Sequence, residues 1–171
     1  MGYTQVYTGD GKGKTTAALG LALRASGCGL KVYFGQFLKK GYYSEIAALG
    51  TKLPEITVEQ YGLEGRKPGA PMDEGDRRAA LAGLKKAKAA LESGLYDVVI
   101  LDELNVAAML ELVSVDDILE LIERRGADTE LVLTGRGAKP EICGKADLVT
   151  EMKEVKHYYQ RGVGARKGIE F

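Results

Sequence analysis

The sequence predicts an α/β domain in which a mostly parallel central sheet carries helices on both faces. Three observations lead there. Short apolar runs alternate with helical patterns along the chain, the rhythm of strand–helix–strand units. One run, Val98-Val99-Ile100-Leu101, is four consecutive β-branched or leucine residues, which suits a strand buried on both faces. A glycine-rich turn, Thr8 to Gly13, stands between the first apolar run and the first helical one.

Taken in order, Tyr3–Thr8 reads as the first strand and Lys14–Ser26 as the first helix, stopped by Gly27 and Gly29. Lys31–Phe37 is the second strand and Ile56–Gln60 a short third. Gly62–Pro71 holds three glycines and two prolines in ten residues and reads as a loop. Leu81, Leu84, Leu91 and Leu95 form the apolar stripe of a second helix ending near Gly94. Asp97–Leu101 is the central strand. Ser114 and Asp117 have capping-box spacing and start a helix that Gly126 ends. Glu130–Thr134 and Asp147–Met152 complete the strands.

The 171 residues suit one domain, residues 1–171, with a core that needs no disulfide or structural metal. Lys plus Arg and Asp plus Glu both count 24, and the basic excess or stripe of a nucleic-acid binder is absent. No apolar run approaches the ~20 residues of a membrane span. Met1-Gly2-Tyr3-Thr4 begins no export signal, so a cytoplasmic protein is expected. Cys28 and Cys143 make no metal-ligand spacing; reduced thiols packed in the core are expected.

Chemistry concentrates at Thr8-Gly9-Asp10-Gly11-Lys12-Gly13-Lys14-Thr15, a turn suited to ATP·Mg²⁺. A phosphate loop needs backbone N–H groups converging on one concavity, small residues, and a helix N-terminus behind them. Gly9, Gly11 and Gly13 supply the first two, and the helix from Lys14 the third. Lys14 then reaches phosphate oxygens and the Thr15 hydroxyl ligates Mg²⁺. The strict pattern G-x-x-x-x-G-K-[ST] wants glycine where Thr8 stands. Lys12 adds a second cation, either a solvated lysine or a phosphate contact.

Asp102-Glu103 ends the central strand, and ligands in open α/β sheets bind beyond strand carboxyl ends. One carboxylate can hold Mg²⁺ and the other orient Thr15 or a lysine; spacing does not choose between them. Arg136, in Leu133-Thr134-Gly135-Arg136-Gly137, can neutralise phosphate from another strand end. His157 is the only histidine and reads as structural, so no Ser–His–Asp or Cys–His nucleophile set can be assembled. The residues alone also admit a P-loop ATPase or small-molecule kinase releasing ADP, or a non-catalytic nucleotide-binding module.

Several segments together resemble the P-loop type of ATP:corrinoid adenosyltransferases, which act on cob(I)alamin and other corrinoids. They are Val6 to Ala18, Gln36-Phe37, Val99 to Leu104, Leu133 to Gly137, Ala146 to Met152, Val155-Lys156-His157 and the tail Gly162 to Phe171. Thr8 and Lys12 both match that family's loop. The resemblance implies a RecA-like P-loop domain, a homodimer, and transfer of the 5′-deoxyadenosyl group of ATP to Co(I) with release of triphosphate. It implies that a reductase supplies Co(I), and that the nucleotide lies reversed on the loop with its 5′ carbon open to cobalt. Carried over by residue, Thr8, Gly9, Asp10, Gly11, Lys12, Gly13, Lys14, Thr15 and Thr16 hold the nucleotide. Thr15 and Glu103 hold Mg²⁺, Arg136 contacts phosphate and Arg24 reaches the nucleoside. Family members place bulky aromatics against the corrinoid in the loop after the third strand. This chain has no Trp and offers Leu63 there, with Tyr42, Tyr43, Tyr158 and Tyr159 as other candidates.

Overall fold

The computed structural model describes residues 1–65 and 69–170. Residues 66–68 of the expected Gly62–Pro71 loop, and Phe171 of the tail, lie outside the described residues. Strands β1 (Thr4–Thr8), β2 (Val32–Phe37), β3 (Ile56–Tyr61), β4 (Val98–Asp102), β5 (Glu130–Thr134) and β6 (Leu148–Glu151) form one sheet. Its order is β3-β2-β4-β5-β1-β6 and every neighbouring pair is parallel. All strand carboxyl ends therefore lie along one edge of the sheet. Those of β4, β5 and β1 are contiguous there.

Helices cover both faces, and the alternation of side chains along each strand decides which face each residue serves. Val32, Phe34, Val98, Ile100 and Val132 pack with α1 (Lys14–Gly27) and α2 (Ser44–Lys52). Tyr33, Phe37, Val99, Leu101, Leu131 and Leu133 pack on the other face. There they meet α3 (Glu74–Glu92), α4 (Leu104–Met109), α5 (Val115–Arg124) and α6 (Pro140–Lys145). All five residues of β4 are buried, which accounts for its unbroken apolar run. β6 is an edge strand and each of its residues is exposed. No described helix is long and apolar enough to cross a membrane.

The boundaries of the six strands, α1 and α5 follow the sequence reading to within a residue or two. Ser114 and Asp117 form the expected capping box. Two expectations are corrected. The leucine stripe of α3 is its core face only in part: Leu84 and Leu91 are buried, but Leu81 is 40% exposed, and Leu95, 69% exposed, lies past the helix end. Ala80, Gly83, Ala87 and Ala90 complete the buried face, small residues that bring the helix close to the sheet. Cys28 is exposed at the C-cap of α1, and only Cys143 packs partly against the core; both are free thiols.

The close approach of α3 makes Gly83 a sensitive position. A Cβ there would stand 2.6 Å from Tyr61 Cγ and 2.9 Å from Phe37 Cε1, two rings already locked edge-to-face at 5.2 Å. Alanine gains about 1 kcal/mol in helix propensity. Overpacking a closed core costs about 1–3 kcal/mol. We expect Gly83→Ala to lower the urea midpoint, a net loss of up to about 2 kcal/mol. An unchanged or raised midpoint would mean that the two rings yield freely.

Candidate functional site

Parity places a row of polar side chains on the α1 side of the sheet. Gln60, Gln36 and Asp102 lie side by side in register at the ends of β3, β2 and β4, and Thr134 ends β5 next to them. Being even-numbered like Val98 and Ile100, Asp102 points to α1 and not away from it. The row is hydrogen-bonded along its length. Gln60 Nε2 donates to Gln36 Oε1 at 2.9 Å, and Gln36 Nε2 donates to Asp102 Oδ2 at 3.1 Å. Thr134 Oγ1 donates to Asp102 Oδ1 at 2.7 Å. The Thr15 hydroxyl, in the first turn of α1, donates to the same oxygen at 2.9 Å. Asp102 is fully buried, and these donors, with Lys39 Nζ 3.7 Å from Oδ2, satisfy both of its oxygens. The buried carboxylate thus fixes the Thr15 hydroxyl as a donor and leaves that oxygen's lone pairs free to face a cation.

The loop between β1 and α1 is anchored at both sides. Thr8 Oγ1 accepts the Ala138 N–H at 3.2 Å and so ties the loop to the segment after β5. This is a structural use for the hydroxyl at the position where the strict motif has glycine. Gly9, at φ 92°, packs where a Cβ would stand 2.5 Å from the Met152 carbonyl oxygen. The Gly11 N–H donates to that same carbonyl at 2.7 Å, so it is spent inside the protein. Gly13 forms the N-cap of α1 at φ 123° and contributes no side-chain cap. Among the described residues no side chain caps the first N–H groups of this 14-residue helix, an arrangement able to bind an anion, whereas α3 and α5 cap their own with Asp73 and Ser114. Lys14 is buried, its ammonium donating to Gly9 O at 2.6 Å and Gly11 O at 2.7 Å. Burial, and next the charge of Arg136, push its pKa down.

A cavity of about 540 Å³ opens over this loop, within the range of small-molecule sites. Its walls bring together Gly11, Lys12, Gly13, Lys14, Thr15 and Thr16 with Glu103 and Arg136, from three separate parts of the chain. Thr8, Gly9, Asp10 and Arg24 are not among its walls. Arg24 stands ten residues along α1, roughly 15 Å from Lys14 at 1.5 Å per residue, exposed and on the side of Tyr7.

Glu103 caps α4 in a left-handed conformation, φ 61° and ψ 14°, held by its N–H donating to Thr134 Oγ1 at 3.0 Å. That turn rotates its carboxylate into the cavity instead of along β4. Burial, and next the neighbouring charge of Asp102, raise its pKa. Of the two acids, Asp102 is saturated by protein donors, whereas Glu103 has, among the described residues, one ion-pair partner, Lys39 Nζ at 4.0 Å. Among the described residues no cluster of three or more His, Cys, Asp or Glu could cage a metal. Any cation here would take few protein ligands and complete its shell with ligand oxygens and water, the habit of Mg²⁺.

The C-terminal tail folds over the loop. Lys12 Nζ donates to Glu170 Oε1 at 2.8 Å, Ile169 O at 2.8 Å and Tyr158 Oη at 3.3 Å. Tyr158 and Arg166 also bond Glu170, and these partners, Arg166 first, hold its carboxyl far below the usual range. His157 lines the cavity, but its Nδ1 accepts the Tyr159 N–H at 3.1 Å and caps the 3₁₀ turn Tyr158–Arg161. Tyr43 and Tyr158 are half-buried, while Tyr42 and Tyr159 are exposed. The sequence reading assigned no role to Gln36, Gln60, Thr134 or Lys39. A glutamine in the otherwise apolar run Val32–Phe37 was the signal available for the polar row.

Comparison with known proteins gives a consistent result. The family model described as ATP:corrinoid adenosyltransferase BtuR/CobO/CobP matches residues 1–171. A corrinoid adenosyltransferase of Pseudomonas aeruginosa is 37% identical over 170 residues, covering 99% of this chain and 84% of that protein. Corrinoid adenosyltransferase CobA of Salmonella typhimurium is 34% identical, covering 97% of this chain and 84% of its own length. An uncharacterized protein of Nostoc, all2391, is 38% identical over 179 residues, and there the chain spans only 47% of the relative.

Proposed function

This chain belongs to the ATP:corrinoid adenosyltransferase family and is a transferase, and from that premise we propose how its cavity carries out the reaction. ATP binds on the loop Thr8 to Thr16, its triphosphate near Lys14 and Arg136 and its 5′ carbon turned outward to a reduced corrinoid. The Co(I) electron pair attacks C5′, the C5′–O5′ bond breaks, and its electrons leave on inorganic triphosphate. Cobalt becomes formally Co(III) bound to carbon, so no further oxidant is required.

The observation that supports this most is the charge gathered around the cavity. Lys14, Lys39 and Arg136 surround the cavity with Glu103, while its one histidine is engaged by its own tail. A substrate that is itself a strong nucleophile asks of the protein only alignment and stabilisation of charge growing on the leaving group. Thr15 and Glu103 would hold Mg²⁺, which screens triphosphate charge when bound. Asp102 orients Thr15, the uncapped N-terminus of α1 faces phosphate, and Arg136 approaches it from β5. The reading extends to a single RecA-like domain over residues 1–171, a homodimer, a cytoplasmic location and a separate reductase supplying Co(I).

The test is an anaerobic incubation with ATP, Mg²⁺ and chemically reduced cob(I)alamin, with the phosphate product identified. Triphosphate should accumulate in step with adenosylated corrinoid. ADP in its place, with the corrinoid spectrum unchanged, would leave a P-loop ATPase or kinase.

A further inference from the structure

Lys39 is placed with more care than a surface lysine requires. It follows β2, and the residue before it, Leu38, holds a left-handed φ of 62°, a conformation a leucine rarely adopts. That turn aims Lys39 back over the strand ends, while the adjacent Lys40 stays exposed. Gly62, after β3, packs on the same backbone: a Cβ there would stand 2.7 Å from both Lys39 N and Lys39 C. The ammonium lies 5.6 Å from the centre of the Tyr43 ring, 3.7 Å from Asp102 Oδ2 and 4.0 Å from Glu103 Oε1. It also lines the same cavity as Lys14 and Arg136.

On the reading above, Glu103 is also a ligand of the divalent cation. An ammonium and a metal ion both drawn to that carboxylate repel each other at this range. We infer that Lys39 competes with the divalent cation for Glu103, and that when Mg²⁺·ATP binds it turns from the strand-end carboxylates to a phosphate oxygen. This inference rests on the proposed nucleotide site and assigns a positioning and phosphate-binding role to one further residue. The flexible side chain makes such a swing possible without moving the strand end, because only its own torsions change. Electrostatically the exchange is balanced: Glu103 passes from one cation to another, Asp102 keeps its hydroxyl and amide donors, and the released ammonium meets a polyanion.

The decisive property is a pair of opposite shifts in Lys39→Gln. Binding of Mn²⁺ alone, followed by electron paramagnetic resonance without nucleotide, should tighten several-fold because a competing cation is gone. Binding of inorganic triphosphate with Mg²⁺, followed by calorimetry, should weaken about tenfold through loss of a phosphate contact. Lys40→Gln should change neither. Gly62→Ala keeps the ammonium but displaces its backbone, and should give the same two signs with smaller size; it provides a second route if Lys39→Gln folds poorly. A role in folding alone would weaken both ligands together. Mn²⁺ affinity that falls or stays unchanged, or triphosphate affinity that stays unchanged, would overturn the inference. A wild-type protein that binds neither Mg²⁺·triphosphate nor Mg²⁺·ATP would instead sink the nucleotide site itself.

Discussion

Lys14→Ala should lower kcat/KM for adenosyl transfer by about 10³-fold while leaving the fold nearly as stable as before. Removing one preorganised donor aimed at developing charge typically costs about 10²–10³ in rate, and Lys14 also contributes to binding the bound substrate. Its ammonium is buried, held on the Gly9 and Gly11 carbonyls, in surroundings that depress its pKa. The sign of that shift matters. A lysine whose pKa is lower in the folded chain carries a charge that the fold disfavours at neutral pH, so deleting it removes a penalty along with two hydrogen bonds. The thermal midpoint should move by only a few degrees. The midpoint increase produced by Mg²⁺·ATP should largely vanish, since stabilisation by a ligand follows its affinity. Full turnover in the variant, measured as adenosylated corrinoid formed, would remove the phosphate loop from the mechanism.

Asp102→Ala should damage both properties. The buried carboxylate accepts from Thr15, Thr134 and Gln36, and deleting it strands two fully buried donors, Thr134 and Gln36, and releases the Thr15 hydroxyl at the cavity wall. We expect a loss of about 2–4 kcal/mol in stability and of at least about 10² in kcat/KM. Asp102→Asn should fall between, because its carbonyl still serves Thr15 and Thr134 while its amide opposes the Gln36 amide. Chemical denaturation combined with steady-state assay separates the two effects. An alanine variant as stable as wild type would show that water satisfies the stranded donors.

What was legible in the sequence follows the strength of the local physical signal. β4 and β5 are buried on both faces, so their continuous apolar runs mark them. The Ser114–Asp117 box marks α5 through its own hydrogen bonds. Three helices gave little signal. α4 and α6 are six residues each, and α2 buries only Leu49 and has no side-chain cap. The leucines of α3 marked only half of its buried face: Leu84 and Leu91 are in the core, but the rest is alanines and Gly83, which pack closely yet carry little hydrophobic contrast.

At the site, Lys14, Thr15 and Glu103 were legible because a loop, a helix start and a strand end must coincide in a parallel sheet. Sequence spacing left Asp102 and Glu103 equivalent, and the distinction is one of backbone. Asp102 remains in the strand and points to α1, whereas the left-handed turn at Glu103 points its carboxylate into the cavity. Lys39 was illegible for the same reason. Nothing in Leu38-Lys39-Lys40 separates the two lysines until the turn at Leu38 does so.

The most direct test of the account is a single-turnover reaction of ATP labelled with ¹³C at C5′ with chemically reduced corrinoid and Mg²⁺. The labelled carbon should appear bonded to cobalt in the corrinoid product, with one equivalent of intact triphosphate released. Label remaining in ADP, with phosphate released and no carbon–cobalt signal, would contradict attack at C5′ and with it the role proposed for the site.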